Sequence, residues 1–362
     1  MKINTIGIVG SNLMSLLLCK EAKKRGIETI LLDQECFNIS SDYVTTNLVG
    51  EFDKFNLERL ALRVDAIICA TNLITDIDEK IEDKTSLYPN KRACQLLTDR
   101  VSQINLAQEL KIDLPSHFIV DDVQTLLEVK AELLFPAKCY QYTRNENGDL
   151  EIDVYAIENI DATEELAQVL ATGDSVIIIE QLISYKQNLS ITALMDTHKN
   201  IVLYPISEEK ELDTSGKSLI TTPANITKTI AKKIETTTRK FVKKIASAGM
   251  FTLKFGVTED RKIHLLAVTP GVTVGDIHTN HSTELSVYEQ YLNLIEGKNI
   301  VDVTINENNS VYITNEQNVD EMFELPYHLY KIRIERKESI EILVIKDRPI
   351  DDIIAESRES NA

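Results

Sequence analysis

The chain has no CxxC pair, no internal repeat, no low-complexity tract and no excess of positive charge. Each absence removes a class of protein. Its five cysteines, Cys19, Cys36, Cys69, Cys94 and Cys139, are scattered and odd in number. That argues against a disulfide frame and fits buried, reduced thiols in a cytoplasmic protein. No apolar run approaches the roughly 18 residues of a membrane helix. The first residues, MKINTIGIVG, contain no signal-type apolar core and run directly into a strand pattern. Lysine and arginine number 39 against 57 acids, a net charge of -18. Such a surface disfavours nucleic acid and anionic membranes as main partners. It leaves room for a small anionic ligand, because a local basic pocket can sit on an acidic protein.

What remains is an ordinary globular composition, 43% hydrophobic and 27% charged, over 362 residues. That length suits two or three domains with their own cores. Thr5 to Val9 reads as a short apolar strand, Gly10-Ser11-Asn12 as a turn, Leu13 to Arg25 as an apolar-faced helix and Ile27 to Leu32 as the next strand. This is a strand-helix-strand unit of a parallel sheet. Asn90 to Leu110 reads as one long helix, and Thr227 to Ser247 as a long amphipathic one. Leu189 to Met195 and Ile201 to Pro205 form a hairpin pattern, and Val301 to Val344 is strand-rich.

The most telling stretch is Phe251 to Thr273, FTLKFGVTEDRKIHLLAVTPGVT. Phe251, Leu253, Phe255 and Val257 alternate with Thr252, Lys254 and Gly256, a period of two. A polar turn follows, and Ile263 to Val268 runs back. The stretch resembles the core of ATP-grasp ligases, most closely the PurK family, 5-(carboxyamino)imidazole ribonucleotide synthase. Further segments in the family's order extend the resemblance from Ile6 to about Val344. They include QLLTDR near residue 97, FPAK at Phe135, IIEQLI at Ile178, TTPAN at Thr221 and YEQYL at Tyr288. The resemblance implies an α/β fold in three parts: a Rossmann-like (pre-ATP-grasp) domain over 1–95, an ATP-grasp module over 96–298 and a small strand-rich C-terminal domain over 299–362. It also implies a homodimer and a purine-pathway setting.

Position by position, the resemblance implies much that this chain has replaced. The family's metal-binding Glu falls on Lys254, and its Asn-Glu pair on Leu266 and Ala267. A hard divalent ion needs oxygen ligands, so these residues argue against magnesium. The family's glycine-rich phosphate turn becomes Gly10-Ser11-Asn12-Leu13-Met14-Ser15, with only Gly10 kept. Ser11 and Asn12 still offer donors to an anion, or the segment is a plain turn with a Ser or Asn N-cap. Of the family's acidic run after a neighbouring strand, only Asn72 matches. The ATP side keeps more. Arg100 and Lys138 fall on phosphate-contacting positions, and Glu180 opens the run that holds the adenine edge. The glycine-rich lid becomes Gln141 to Gly148 with one glycine, and reads as a hairpin turn at Asn147-Gly148. The acid near the ribose becomes Asn188. The substrate-side Arg, His and Asn are lost in Pro270 to Ile277 and at Asn225, and the late basic element has no counterpart in Arg336 to Ile345.

Three other patterns mean little. Ser215-Gly216-Lys217-Ser218 lacks the earlier glycine of a P-loop. His264, His278 and His281 lack zinc-site spacing and read as solvated or helix-start histidines. Glu208 to Glu211 reads as a solvated loop. The sequence therefore supports two readings. One is a catalytically degenerate synthase homologue that acts as a binding or scaffold protein, partnered by another copy or by a purine-pathway enzyme. The other is an enzyme with a repurposed pocket, or an active synthase-like ligase, still binding ATP or a ribonucleotide.

Overall fold

The structure is a computed structural model, which describes residues 2–34, 43–71, 77–144, 150–212, 217–305, 309–314, 327–334 and 338–346. Cys36, Asn72, the turn at Asn147-Gly148, Ser215, Gly216 and Arg336 lie outside the described residues. The chain opens with β1 (Thr5–Val9), α1 (Leu13–Lys24), β2 (Glu28–Asp33), β3 (Thr46–Val49), α2 (Lys54–Ala61), β4 (Ala66–Cys69), α3 (Lys80–Lys84), β5 (Ser86–Tyr88) and α4 (Lys91–Thr98). Next come α5 (Arg100–Glu109), β6 (His117–Val120), α6 (Val123–Val129), β7 (Ala137–Arg144), β8 (Leu150–Ile157), α7 (Thr163–Leu170) and β9 (Ser175–Gln181). They are followed by β10 (Gln187–Met195), β11 (Ile201–Leu203), β12 (Ser207–Glu211), β13 (Ser218–Thr222), α8 (Lys228–Ile245), β14 (Gly249–Val257) and β15 (Ile263–Pro270). The last elements are α9 (Thr279–Ser282), α10 (Val287–Ile295), β16 (Asn309–Thr314), β17 (Tyr327–Ile334) and β18 (Glu338–Lys346).

These strands form three sheets. The first is parallel, in the order β3-β2-β1-β4-β5. The chain winds outward from β1 on one side and restarts at β4 on the other, which is the doubly wound pattern. The second runs β15-β14-β10-β12-β13-β16-β18-β17, with β11 beside β10. Its C-terminal strands continue the same sheet, since β16 pairs with β13 from Ser218↔Ile313 to Thr222↔Asn309. The third is a four-stranded antiparallel sheet, β6-β9-β7-β8. Contacts divide the chain into two compact units. One comprises Met1–Thr98, Gln187–Phe255 and Ala267–Ala362, and the other Asp99–Lys186 and Gly256–Leu266.

Period-two and helical patterns explain where each core sits. In the first unit, Ile6, Ile8, Leu31 and Ile68 share one core with Leu194, Tyr204, Met250, Tyr288 and Tyr291. Val9, Leu32, Leu57, Leu60 and Ile67 build a second on the opposite face of the parallel sheet, as alternation of side chains requires. Arg25 closes α1 on α10, donating to Glu296 Oε2 at 2.7 Å and to the Glu289 carbonyl at 2.9 Å. In the second unit, Cys139, Ile177 and Ile179 pack with Leu126, Leu166 and Leu170 of the helices.

Two sequence expectations fail for local reasons. The single helix over Asn90 to Leu110 is two, α4 and α5. Asp99 is extended and its carboxylate caps α5, accepting from Val101 N at 3.0 Å and Ser102 N at 3.1 Å. An Asp that satisfies the orphan donors of a new helix ends the old one. The charge run Glu208 to Glu211 is strand β12, not a loop; it pairs with β10 and β13, and Glu208 is buried. The four cysteines described, Cys19, Cys69, Cys94 and Cys139, are buried and free. Among the described residues no helix is long and apolar enough to cross a membrane.

Candidate functional site

The order of the parallel sheet reverses between β1 and β4, and in such sheets ligands bind outside the strands' carboxyl ends at that point. Gly10, Ser11 and Asn12 lie there. Gly10 has φ +94°, and a Cβ on it would sit 2.9 Å from Thr71 Cβ, so this turn requires glycine. The rest of the loop is internally bonded. Ser11 N donates to Asp33 Oδ2 at 2.5 Å. Asn12 caps α1, accepting from Ser15 N at 3.1 Å, while its Nδ2 donates across the switch point to the Ala70 carbonyl at 2.6 Å. Ser15 Oγ returns to the Gly10 carbonyl at 2.5 Å. An acid of the chain itself thus holds the backbone donor that an anion would use.

The second unit gathers charge instead. The first turn of α5 and one face of the β7-β9 pair carry Arg100, Glu180 and Lys138. Arg100 donates through Nε and Nη2 to Glu180 Oε1 at 2.9 and 2.7 Å, and both side chains are buried. Its backbone N donates to Tyr142 Oη at 3.0 Å, which fixes the start of the helix on the sheet. Lys138 lies directly across the ladder from Glu180, so their side chains share a face. Lys138 Nζ stands 4.7 Å from the centre of the Tyr140 ring, and the Arg100 guanidinium 5.9 Å from it. Two cations and one carboxylate leave the face with one positive charge in excess. Burial pushes the Tyr142 hydroxyl up to about 12. Burial, with the Glu180 carboxylate second, does the same to Tyr185. Tyr185 Oη meets His264 Nδ1 at 3.1 Å, and its ring lies so close over Gly256 that a Cβ there would clash at 2.4 Å.

On the β14-β15 hairpin, Lys254 is exposed, unlike its buried neighbours Leu253 and Phe255, and its Nζ is 3.9 Å from Glu209 Oε2. Leu266 and Ala267 are half-buried on the adjacent strand β15. Beyond them the chain turns its polar groups inward. Asp276 is buried; its Oδ2 accepts from Thr273 N and Oγ1, each at 2.8 Å, and from Thr192 Oγ1 at 3.0 Å. Burial raises its carboxyl above the usual range despite these donors. His278 is 1% exposed, with Nδ1 2.7 Å from Ser282 Oγ, and burial lowers it from 6.5 to about 4.

Known proteins place this architecture. The ATP-grasp domain signature matches residues 105–274. N5-carboxyaminoimidazole ribonucleotide synthase of Brucella melitensis is 22% identical over 296 residues, 81% of each chain. The Staphylococcus aureus N5-carboxyaminoimidazole synthetase complexed with ADP superposes with a TM-score of 0.82 at 18% identity, over 99% of both chains. The Aspergillus clavatus synthase in complex with ADP and 5-aminoimidazole ribonucleotide gives 0.77 at 16% identity, over 98% of this chain and 96% of that one. The chain carries an ATP-grasp domain, and its relatives and its fold support membership of the PurK family.

The structure brings Arg100, Lys138 and Glu180 together on one face and Gly10, Ser11 and Asn12 together at the switch point. Lys254 faces away from the core of its strand, with Leu266 and Ala267 on the neighbouring strand. No acid among the described residues joins a cluster able to hold a metal. Of the solvated and helix-start alternatives, His278 takes the helix start, buried directly before α9, and His264 is partnered by Tyr185. Lys217, the lysine of the P-loop-like run, is buried in a hairpin where Leu212 N donates to its carbonyl at 2.9 Å. Sequence reasoning missed Tyr140, Tyr142 and Asp33. Tyr140 and Tyr142 follow Lys138 at i+2 and i+4 on a strand, a spacing that announces a shared face. Asp33 ends β2, the place where dinucleotide folds carry the acid that meets a ribose hydroxyl.

Proposed function

We propose that this chain is a PurK-family protein that has lost the ligase reaction and works by binding, keeping an anion site on the α5 face. The observation that carries it is Lys254, a cation paired with Glu209, at the family's metal position, with Leu266 and Ala267 beside it. A metal at such a site stabilises several kcal/mol of transition-state charge, and these three side chains supply no oxygen donor for it. The relatives' complexes with ADP and ATP support a nucleotide as the ligand. Lys138 then meets the phosphates, with Arg100 and Glu180 holding the face in shape. The self-bonded loop at Gly10 supports loss of the ribonucleotide phosphate seat. The three-part division at 95/96 and 298/299, a homodimer, a purine-pathway enzyme partner and a cytoplasmic location complete the proposal.

The second reading, a ligase that still turns over, rests on the family resemblance along 81% of the chain. One assay separates the two. With ATP, bicarbonate and 5-aminoimidazole ribonucleotide, the protein releases no phosphate above background. Magnesium-independent binding of an ATP analogue by calorimetry completes the expected result. The restoring triple Lys254→Glu, Leu266→Asn and Ala267→Glu recovers metal binding before turnover, because positioning of the phosphates is a separate contribution. Ribonucleotide-dependent phosphate release by the unmodified chain sinks the proposal.

A further inference from the structure

Helix α8 carries a charge opposite to that of the chain around it. Its 18 residues, KTIAKKIETTTRKFVKKI, hold six lysines, one arginine and a single glutamate. Ile230, Ile234, Phe241, Val242 and Ile245 are buried, and every cation is exposed. At 100° per residue, Lys228, Lys232, Arg239 and Lys243 fall within about 60° of one another and form a stripe roughly 22 Å long; Glu235, about 20° beyond Lys228, interrupts it midway and leaves it with three positive charges in excess.

Helix electrostatics explains only part of this stripe. Lys243 and Lys244 sit in the last turn, where the dipole favours cations. Arg239 also tethers β11, donating to the Ile201 carbonyl at 2.7 Å. Lys228 and Lys232 have the opposite placement. They occupy the first turns, at the positive end of the dipole, with no acid in the first turn to compensate. Lys228 and Lys232, and Arg239 and Lys243, are like-charged i,i+4 pairs, which destabilise a helix. Lys228 and Lys232 have no ion pair among the described residues, although the sequence has 57 acids.

We infer that the outer face of α8 is a docking surface for an acidic, extended polypeptide segment of a partner protein. Width decides between polyanions. The field of one helix reaches about 8 Å at physiological salt, and the remainder of this chain is strongly acidic. A duplex or a membrane meets that repulsive surface along with the helix. A single extended segment of about seven residues spans the stripe and touches little else. This surface is independent of the α5 face, so the two proposals stand or fall separately.

The probe is a labelled ten-residue polyglutamate, read by anisotropy with the full chain at about 50 mM and 300 mM salt. Binding is expected at the lower salt and lost at the higher one. The triple Lys228→Glu, Lys232→Glu, Lys243→Glu weakens it at least tenfold. The triple Lys2→Glu, Lys20→Glu, Lys84→Glu, with the same change in net charge on other exposed lysines, changes it less than twofold. Should the α8 reversal unfold the protein, Lys228→Gln with Lys232→Gln still lowers affinity severalfold. Equal weakening by both triples, no binding at low salt, or tighter binding of duplex DNA or phosphatidylserine vesicles in the same assay overturns the inference.

Discussion

At the end of β1, Ser11 gives its backbone N–H to Asp33, and Asn12 divides its amide between Ser15 and Ala70. On the α5 face Arg100 and Glu180 neutralise each other, while Lys138 adds a positive charge above the Tyr140 ring. The family resemblance implies a ligand site at both regions, yet their side chains are arranged differently. The first unit has turned its polar groups inward, at Asp33 and again at Asp276 and His278. The second has kept its charges on one face of a sheet, with an excess of one sign. Closed loops need no ligand to satisfy them. A buried ion pair with a neighbouring cation has a reason to persist beyond stability, since such pairs gain little over apolar packing.

The largest expected effect tests that last point. Arg100→Ala leaves Glu180 buried and unpaired, and is expected to cost about 3–5 kcal/mol of stability. Urea unfolding measures it. The double replacement Arg100→Met with Glu180→Leu restores most of that loss, because well-packed apolar pairs often equal a buried ion pair. If the pair serves a nucleotide, the double variant is stable but no longer binds an ATP analogue. Unchanged binding by the double variant would erase the distinction between the two regions.

Much of this contrast could be read in the sequence, and the part that could not has physical causes. β1, α1, β2 and the β14-β15 hairpin are strongly periodic, and the structure has them within a residue or two. The break at Asp99 was hidden because apolar periodicity continues through Leu97, Val101 and Ile104; only the capping carboxylate reveals it. β12 was hidden because its residues, SEEKE, carry no alternation of apolar and polar side chains. At the sites, residue type was legible and pairing was not. Arg100 and Glu180 are 80 positions apart, and Ser11 and Asp33 are 22 apart. Nothing local says that these acids are already engaged.

The next effect sharpens the account of the first unit through pH. His278 titrates near 4 in the fold against 6.5 ordinarily, because burial disfavours its charge and His281 adds repulsion. Between those values the unfolded chain binds the proton and the folded chain does not, so stability falls as pH drops from 6.5 to 4. The full shift is worth about 3 kcal/mol. Asp276 acts in the other direction. Burial raises its carboxyl, so its contribution is intact below about pH 4 and declines as pH rises. Thermal melts across pH 4–7 check the histidine: His278→Gln should flatten the acid side of the profile. A variant as acid-sensitive as the parent chain would show that His278 is not enclosed as described.

The smallest effect bears on the Gly10 loop itself. Asp33→Asn removes the charge from the bond to Ser11 N without removing the acceptor. The bond to a charged acceptor exceeds a neutral one by about 1 kcal/mol, and Asp33 is only half-buried, so the loss of stability should be about that or less. The gain should appear elsewhere. With the carboxylate neutralised, an external anion is no longer repelled, and it competes with a weaker, neutral acceptor for the N–H of Ser11 at the start of α1, as helix N-termini allow. Inorganic phosphate or a ribonucleoside monophosphate should then protect the variant from thermal unfolding more than it protects the parent chain. Equal protection of both would mean that the loop was never closed by Asp33, and the two regions would then differ in degree rather than in kind.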